Sequence, residues 1–498
     1  MKELFVKNDI DRGAWADSLG SLGVSGILGI PAPKLAEYIT RDAAEIKERH
    51  RIYNDYMTFP VLREKTAEIC ERAKNISELL IKKVKYQDVE HALFNLRSLE
   101  YYTEIVLLLD DVYGECYGEL TSERLKGLLL SNHETRESED FRNICDYMND
   151  VLKKVRSFRS FTVGINLNSR LEPSEIGILS MNDDLFVSSN FFTKLFSKSD
   201  KNGMFVTPLV KMTSNSQLLE QSLYLTLNET LLKSIDKSRL VLLGRLSEYC
   251  SDVLKCCDDF TFVLKTVNLL CEMKENGCKL CYPTVSVGQV DVKNAYDPNL
   301  IRKMPYAKIV KNDLIFSNVD GRIGILTGAN SGGKSVFLRT LGIEAAAFQL
   351  GMPVFASHAS MPVFDNILMH ISSELEETED SRFVTECVRM KEILEQATSN
   401  TLILMDESFS GTGSLEAAAV AHEVLKTLCR RGCICLFSTH IHEIVSYIGE
   451  LNQSGKAVFP MKAEMRGGER TYRVLYNEYD DYSHAADIAR KYGLEFTE

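Results

Sequence analysis

The chain has 498 residues, 45% of them apolar and 26% charged, with a formal net charge of −12; that length holds two to four domains, and that composition is ordinary for a soluble globular protein. The acidic balance excludes a surface that attracts nucleic acid as a whole, so any such contact needs a local basic face. No uncharged run reaches the roughly 18 to 20 residues that span a bilayer, and the opening Lys2-Glu3-Leu4-Phe5-Val6-Lys7 lacks the apolar stretch of a secretory signal.

Proline divides the chain: none lies between Pro60 and Pro173, and none between Pro208 and Pro283. Such tracts permit long helices. The first, through Ile69, Leu79 and Leu107, reads as helix to about residue 156. The next region, 157–212, changes texture. Phe161–Leu167 and Ile176–Met181 read as short strands among Asn, Ser, Asp and Pro. Over 151–212, nine Lys/Arg face five Asp/Glu, so this β-containing unit is locally basic.

In the second proline-free tract, Leu219, Leu223, Leu227, Leu231, Ile235, Leu242, Leu246 and Val253 recur in steps that keep one helical face apolar. One long helix over 213–283, or two with a turn near Gly244, satisfies that pattern. Thirteen cysteines show no framework, which suits a reducing cytoplasm. Cys278-Lys-Leu-Cys281 is one lone C-x-x-C, read as packing thiols, with a metal or redox site as the alternative.

From 284 onward strands and helices alternate: strands at Ile323–Leu326, Thr401–Met405 and Cys433–Ser438, helices at Ser335–Leu350, Phe383–Ala397 and Leu415–Leu428. Alternating βα units imply a mostly parallel sheet covered by helices. The expected fold is therefore multidomain: an all-α region with a small β-containing insertion, followed by an α/β P-loop domain.

The strand at 323 leads straight into Gly328-Ala-Asn-Ser-Gly-Gly-Lys-Ser335, which fits G-x-x-x-x-G-K-[ST] between a strand and a helix. A triphosphate must be approached by backbone N–H groups, and glycines allow that approach. The following helix aims its N-terminus at the phosphates. Lys334 is placed on the β- and γ-phosphates and Ser335 on Mg²⁺. Thr401-Leu-Ile-Leu-Met-Asp-Glu407 is a buried strand ending in two carboxylates, with Asp406 assigned to the Mg²⁺ shell and Glu407 to the attacking water. His440 closes another apolar strand and is a candidate hydrogen-bond partner of the γ-phosphate or the water.

Together these pieces resemble the ATPase domain of the MutS mismatch-repair family. Thr327-Gly-Ala-Asn-Ser-Gly-Gly-Lys-Ser335 is similar to its T-G-P-N-x-G-G-K-[ST], with Ala329 in place of proline, and Asn330, Gly332 and Gly333 fall on its nucleotide loop. Leu404-Met-Asp-Glu407, Gly411-Thr412 and Ser438-Thr-His440 match its L-[ML]-D-E, G-T and A-T-H. Ser381-Arg-Phe-Val-Thr-Glu386 resembles S-x-F-x-x-E, which implies that Ser381 contacts the nucleotide of the opposite subunit. Ser483–Gly493 is similar to the family's closing segment, and the earlier helical tracts to its core and lever.

The resemblance implies residues 1–156 and 213–283 as core and lever, 157–212 as a clamp-like unit, and 284–498 as the ATPase domain. It also implies ATP and Mg²⁺ as cofactors, a homodimer through the ATPase domain, and DNA held by its backbone. The expected function is ATP turnover coupled to dimer closure in repair or recombination, in the cytoplasm and off the membrane. The alternative is an ATP-gated protein-interaction switch. Departures from the pattern are expected to matter. The match starts near the family's core, without the mismatch-reading domain and its Phe-x-Glu wedge. It lacks the C-terminal dimerisation helices and a nuclease-like domain. Glu379-Asp380 stand where Gly-Arg is usual.

Overall fold

A computed structural model describes residues 4–7, 11–85, 92–157, 159–171, 173–185, 237–328, 332–371, 382–453, 455–466 and 469–479. The chain divides into two compact units. One comprises 1–3, 61–119 and 126–260; the other comprises 4–60, 120–125 and 261–498.

In chain order the elements are α1 (Arg12–Ser21), α2 (Val24–Leu28), α3 (Ala32–Ala36), α4 (Ala43–Thr58), α5 (Pro60–Lys85), α6 (Ala92–Cys116), α7 (Glu123–Glu137), α8 (Glu139–Ser157), β1 (Ser160–Leu167), β2 (Pro173–Asn182) and α9 (Lys237–Glu275). They continue with β3 (Thr284–Val285), β4 (Val290–Ala295), β5 (Asn312–Phe316), β6 (Ile323–Thr327), α10 (Lys334–Gln349), β7 (His358–Met361), β8 (Ile367–Ile371) and α11 (Arg382–Gln396). The last are β9 (Leu402–Asp406), α12 (Ser414–Arg431), β10 (Ile434–Ser438), α13 (Ile448–Leu451), β11 (Val458–Arg466) and β12 (Glu469–Tyr476).

The first unit is helical with one antiparallel hairpin, β1–β2, in which Val163 faces Ile178 and Ile165 faces Ile176. Its helices pack through stripes such as Ile69, Ala73, Ile76 and Leu79, all buried, at the three- and four-residue steps of one helical face. Leu107 lies within a helix as expected; it is 44% exposed, and Ile105, Val106 and Leu109 carry the burial there. The stretch Leu219–Ile235 lies outside the described residues, and α9 runs uninterrupted past Gly244.

The second unit is built on a six-stranded sheet, ordered β12-β11-β6-β10-β9-β8. From β11 to β8 every pairing is parallel, and β12 adds an antiparallel edge. Odd positions Ile323, Ile325, Ile403, Met405, Cys435 and Phe437 pack on Met390 and Ile393 of α11 and on Ala421, Leu425 and Leu428 of α12. The other face meets α10, which is buried along nearly its whole length. A sheet covered on both sides needs continuous apolar strands, which is why 323–326, 402–405 and 434–437 read as unbroken runs. Gly342 makes the close approach possible: a Cβ there would sit 2.7 Å from Leu404 and 2.3 Å from Leu22. Gly432, at φ 71°, ends α12 with its N–H on the carbonyls of Leu428 and Cys429.

A smaller mixed sheet, ordered β3-β7-β4-β5, lies in the same unit. The expected strands and helices after 320 are found within about two residues, an ordinary boundary error. β7, β8, β11 and β12 were not expected; the edge strand β12 has no buried position, and β11 mixes Pro460, Lys462 and Glu464 into its apolar residues, so neither reads as a buried apolar run. Burial pushes the Cys281 thiol up to about 12 and also raises that of Cys278. Among the described residues no cluster of His, Cys, Asp or Glu could hold a metal. None of the described helices is long and apolar enough to cross a membrane.

Candidate functional site

Parallel register brings the motifs to one edge. Leu326 is level with Ser438, and Ser438 with Asp406. The residues that follow, Thr327-Gly328, Thr439-His440 and Glu407, therefore leave the sheet side by side at its carboxyl end. In α/β folds that end holds the ligand.

Gly328 has φ 128°, and a Cβ there would sit 2.9 Å from the Ala463 Cβ. Both conformation and space demand glycine. Gly333, at φ 95°, begins α10 with no side-chain cap, and the positive end of that helix's dipole lies at the loop. Gly332 is buried and Ser335 is exposed at the helix start. Lys334 is only 4% exposed, and its Nζ donates to the Gly328 carbonyl at 2.8 Å. Burial lowers its pKa, while the neighbouring Glu407 and Asp406 carboxylates favour its charge. That pairing brings the loop and the two acids together.

Asp406 Oδ1 is buried with no hydrogen-bond partner, and so is Ser438 Oγ. An unmet buried carboxylate oxygen costs about 1–3 kcal/mol or more, so a site for a cation beside Asp406 has a physical reason. Asp406 and Ser335 offer only oxygens, the hard donors suited to Mg²⁺, which takes one or two protein ligands and leaves the rest to phosphate and water. The residues fit the ion.

Glu407 sits at φ 51° and Phe409 at φ 66°. Left-handed backbone at non-glycine residues costs on the order of 1–2 kcal/mol each. The strain is held from both sides: the Glu407 N–H donates to the Ser438 carbonyl at 2.9 Å, and Phe409 is fully buried. His440 is exposed at the same edge. Asn330 and Ser381 lie outside the described residues, as does Ser483–Gly493.

A cavity of about 390 Å³ opens beside the loop. Gly333, Lys334, Ser335 and Glu407 line it together with Tyr296, Leu300, Ile309 and Val310. Asp406 and His440 are not among its lining residues. A cavity lined by a lysine and helix-start residues as well as by aromatic and aliphatic side chains has room and contacts for a molecule with both an anionic and an apolar part. The segment leading into β5 contributes Ile309, Val310 and Asn312. Tyr296 and Tyr472 also line the cavity, and no motif marks either. Tyr472 is held at φ 60° with its ring against Gly333, and its carbonyl accepts from Asn312 at 3.0 Å. A tyrosine in the middle of an unremarkable edge strand leaves no local signal.

Residues 324–496 match the family model described as MutS domain V. The chain is 32% identical over 214 residues to the DNA mismatch repair protein MutS of Thermotoga neapolitana, covering 43% of this chain and 26% of that protein. It is 30% identical over 198 residues to the same-named protein of Clostridium perfringens, covering 39% and 20% respectively. A longer match, 25% identical over 418 residues, is to the Endonuclease MutS2 of Clostridioides difficile, covering 80% of this chain and 49% of that protein. The chain thus matches half or less of the length of these relatives.

Proposed function

Because the chain belongs to the MutS family, we propose that it is a Mg²⁺-dependent ATPase that couples ATP binding and hydrolysis to closure of a homodimer and to DNA binding, in repair or recombination. The observation that carries this reading is the buried Lys334 between Gly328 and the carboxylates of Asp406 and Glu407. The division that goes with it is core and lever at 1–156 and 213–283, a clamp-like unit at 157–212 and the ATPase domain at 284–498.

In this mechanism the α10 N–H groups and Lys334 bind the β- and γ-phosphates, and the apolar residues that line the cavity take the base. Ser335 and Asp406 hold Mg²⁺, which when bound neutralises phosphate charge. Glu407 orients water for in-line attack on the γ-phosphorus as ADP leaves. His440 hydrogen-bonds the water or the γ-phosphate, and Asn330 contacts the nucleotide. Ser381 reaches the partner subunit's nucleotide, so each site is completed only in the closed dimer. DNA is held by phosphate contacts without base reading, in the cytoplasm.

The test uses Glu407→Gln. Losing the carboxylate should keep ATP bound and unhydrolysed, so the variant should elute as a dimer in Mg-ATP and as a smaller species without it. Full turnover by this variant would remove the role given to Glu407. A salt-sensitive gel shift on duplex, mismatched and branched DNA tests the nucleic-acid half; no shift at micromolar protein, with or without ATP, overturns it.

A further inference from the structure

The strained turn at Glu407 is followed by a buried contact that the ATPase reading leaves unused. Ser408 is fully buried, and its Oγ lies 2.6 Å from Nδ1 of His370, which is 1% exposed on β8. The other ring nitrogen, Nε2, lies 2.9 Å from the backbone carbonyl of Glu386 in the second turn of α11. A carbonyl can only accept, so Nε2 carries the hydrogen and Nδ1 is the bare acceptor. The Ser408 hydroxyl then donates to Nδ1. The ring of Phe409 stands 5.6 Å from the imidazole and closes the site from the other side. His370 thus ties the turn that aims Glu407 to the helix that begins directly after Ser381.

We propose that His370 is a positioning residue for the hydrolysis reaction: through Ser408 it holds Glu407 in its left-handed conformation, and through the Glu386 carbonyl it links that conformation to α11. This rests on the ATPase reading above. Glu407 lines the nucleotide cavity while its neighbour Ser408 is buried on the imidazole. Relaxing the turn leaves in place the Gly328 carbonyl to which Lys334 donates. Loss of the tether should cost turnover and spare nucleotide binding.

The two arms can be cut separately. In His370→Asn the amide oxygen stands near the place of Nδ1 and can still accept from Ser408. In His370→Gln the amide nitrogen stands near the place of Nε2 and keeps only the bond to Glu386. Ser408→Ala removes the first arm and Ser408→Thr keeps it. Phosphate release and binding of a fluorescent ATP analogue are measured side by side. His370→Gln and Ser408→Ala should lower kcat about tenfold or more with Kd within about twofold. His370→Asn and Ser408→Thr should retain most of kcat. The Gln/Ala double variant should be no worse than either single.

Equal kcat in all four variants overturns the inference, as does a parallel loss of binding and turnover. Inactivity of the unmodified protein would instead overturn the ATPase reading. The tether has its own readout, the ¹⁵N shifts of His370 in the full chain. Nδ1 should be unprotonated and Nε2 protonated, and the reverse tautomer overturns the inference whatever the turnover.

Discussion

Arg49 and Lys334 bury positive charges in the same compact unit, at 0% and 4% exposure. Arg49 is surrounded by acceptors. Its Nε donates to Glu45 at 2.8 Å, Nη1 to the carbonyls of Tyr38 and Leu350, and Nη2 to the Val6 carbonyl at 3.0 Å, with the guanidinium over the Phe5 ring. Glu45 in turn pairs with Arg124 at 2.7 Å. Arg49 therefore fastens the N-terminal helices to the end of α10, through groups that are all protein. Lys334 has a pKa lowered by burial, with acids beside it and a glycine loop in front. A planar fork that meets fixed carbonyls suits structure, whereas a point charge on a flexible stem suits a ligand that comes and goes. The difference teaches that burial alone does not mark a functional cation; the nature of its partners does.

The largest effect that would break this comparison concerns Lys334. Lys334→Met should lower phosphate release by about three orders of magnitude and leave the urea midpoint unchanged or higher, since a desolvated ammonium is removed. A marked loss of stability would make Lys334 a structural cation after all. Arg49→Met should do the opposite, costing about 3–5 kcal/mol because Glu45 loses a buried partner. Turnover per folded molecule should be unchanged. Denaturant titration and active-site counting check both.

His50, next to Arg49 in α4, sharpens the point with pH. Burial pushes its pKa down to about 4, and its Nε2 has no hydrogen-bond partner. The folded state favours the neutral ring, whereas the unfolded chain takes up its proton near pH 6.5. The stabilisation is therefore complete above about 6.5 and is lost as pH falls from there to 4, by up to about 3 kcal/mol. His50→Phe should flatten that part of the pH–stability curve. The smallest effect is steric: Gly351, at φ 72°, would bring a Cβ to 2.5 Å from the Arg49 Cβ. Gly351→Ala should cost about 1–3 kcal/mol in a thermal melt, with turnover intact.

Where apolar side chains must cover both faces of a strand, composition alone reveals it, and β6, β9 and β10 could be read from the chain. The need for glycine at 328 and 333 was equally legible, because a left-handed backbone and close approach at the strand-to-helix turn require it. His370 could not be read. Isoleucines flank it one and three residues away in β8, and alone it looks like a satisfied core histidine. Its partners lie on a turn and a helix far along the chain. Tyr472 and Tyr296 are hidden in the same way.

Local chemistry thus determined the glycine-rich strand-to-helix turn, the acidic strand end and the alternating α/β pattern, because each is a short-range demand on backbone freedom or burial. Only tertiary structure decided which distant groups meet them. The parallel register sets Gly328, Glu407 and His440 along one edge. The buried imidazole of His370 meets Ser408 on the turn after β9, and Arg49 closes the N-terminal helices onto the end of α10. Those contacts join residues far apart in sequence, and a linear pattern carries no record of which buried polar groups will satisfy one another.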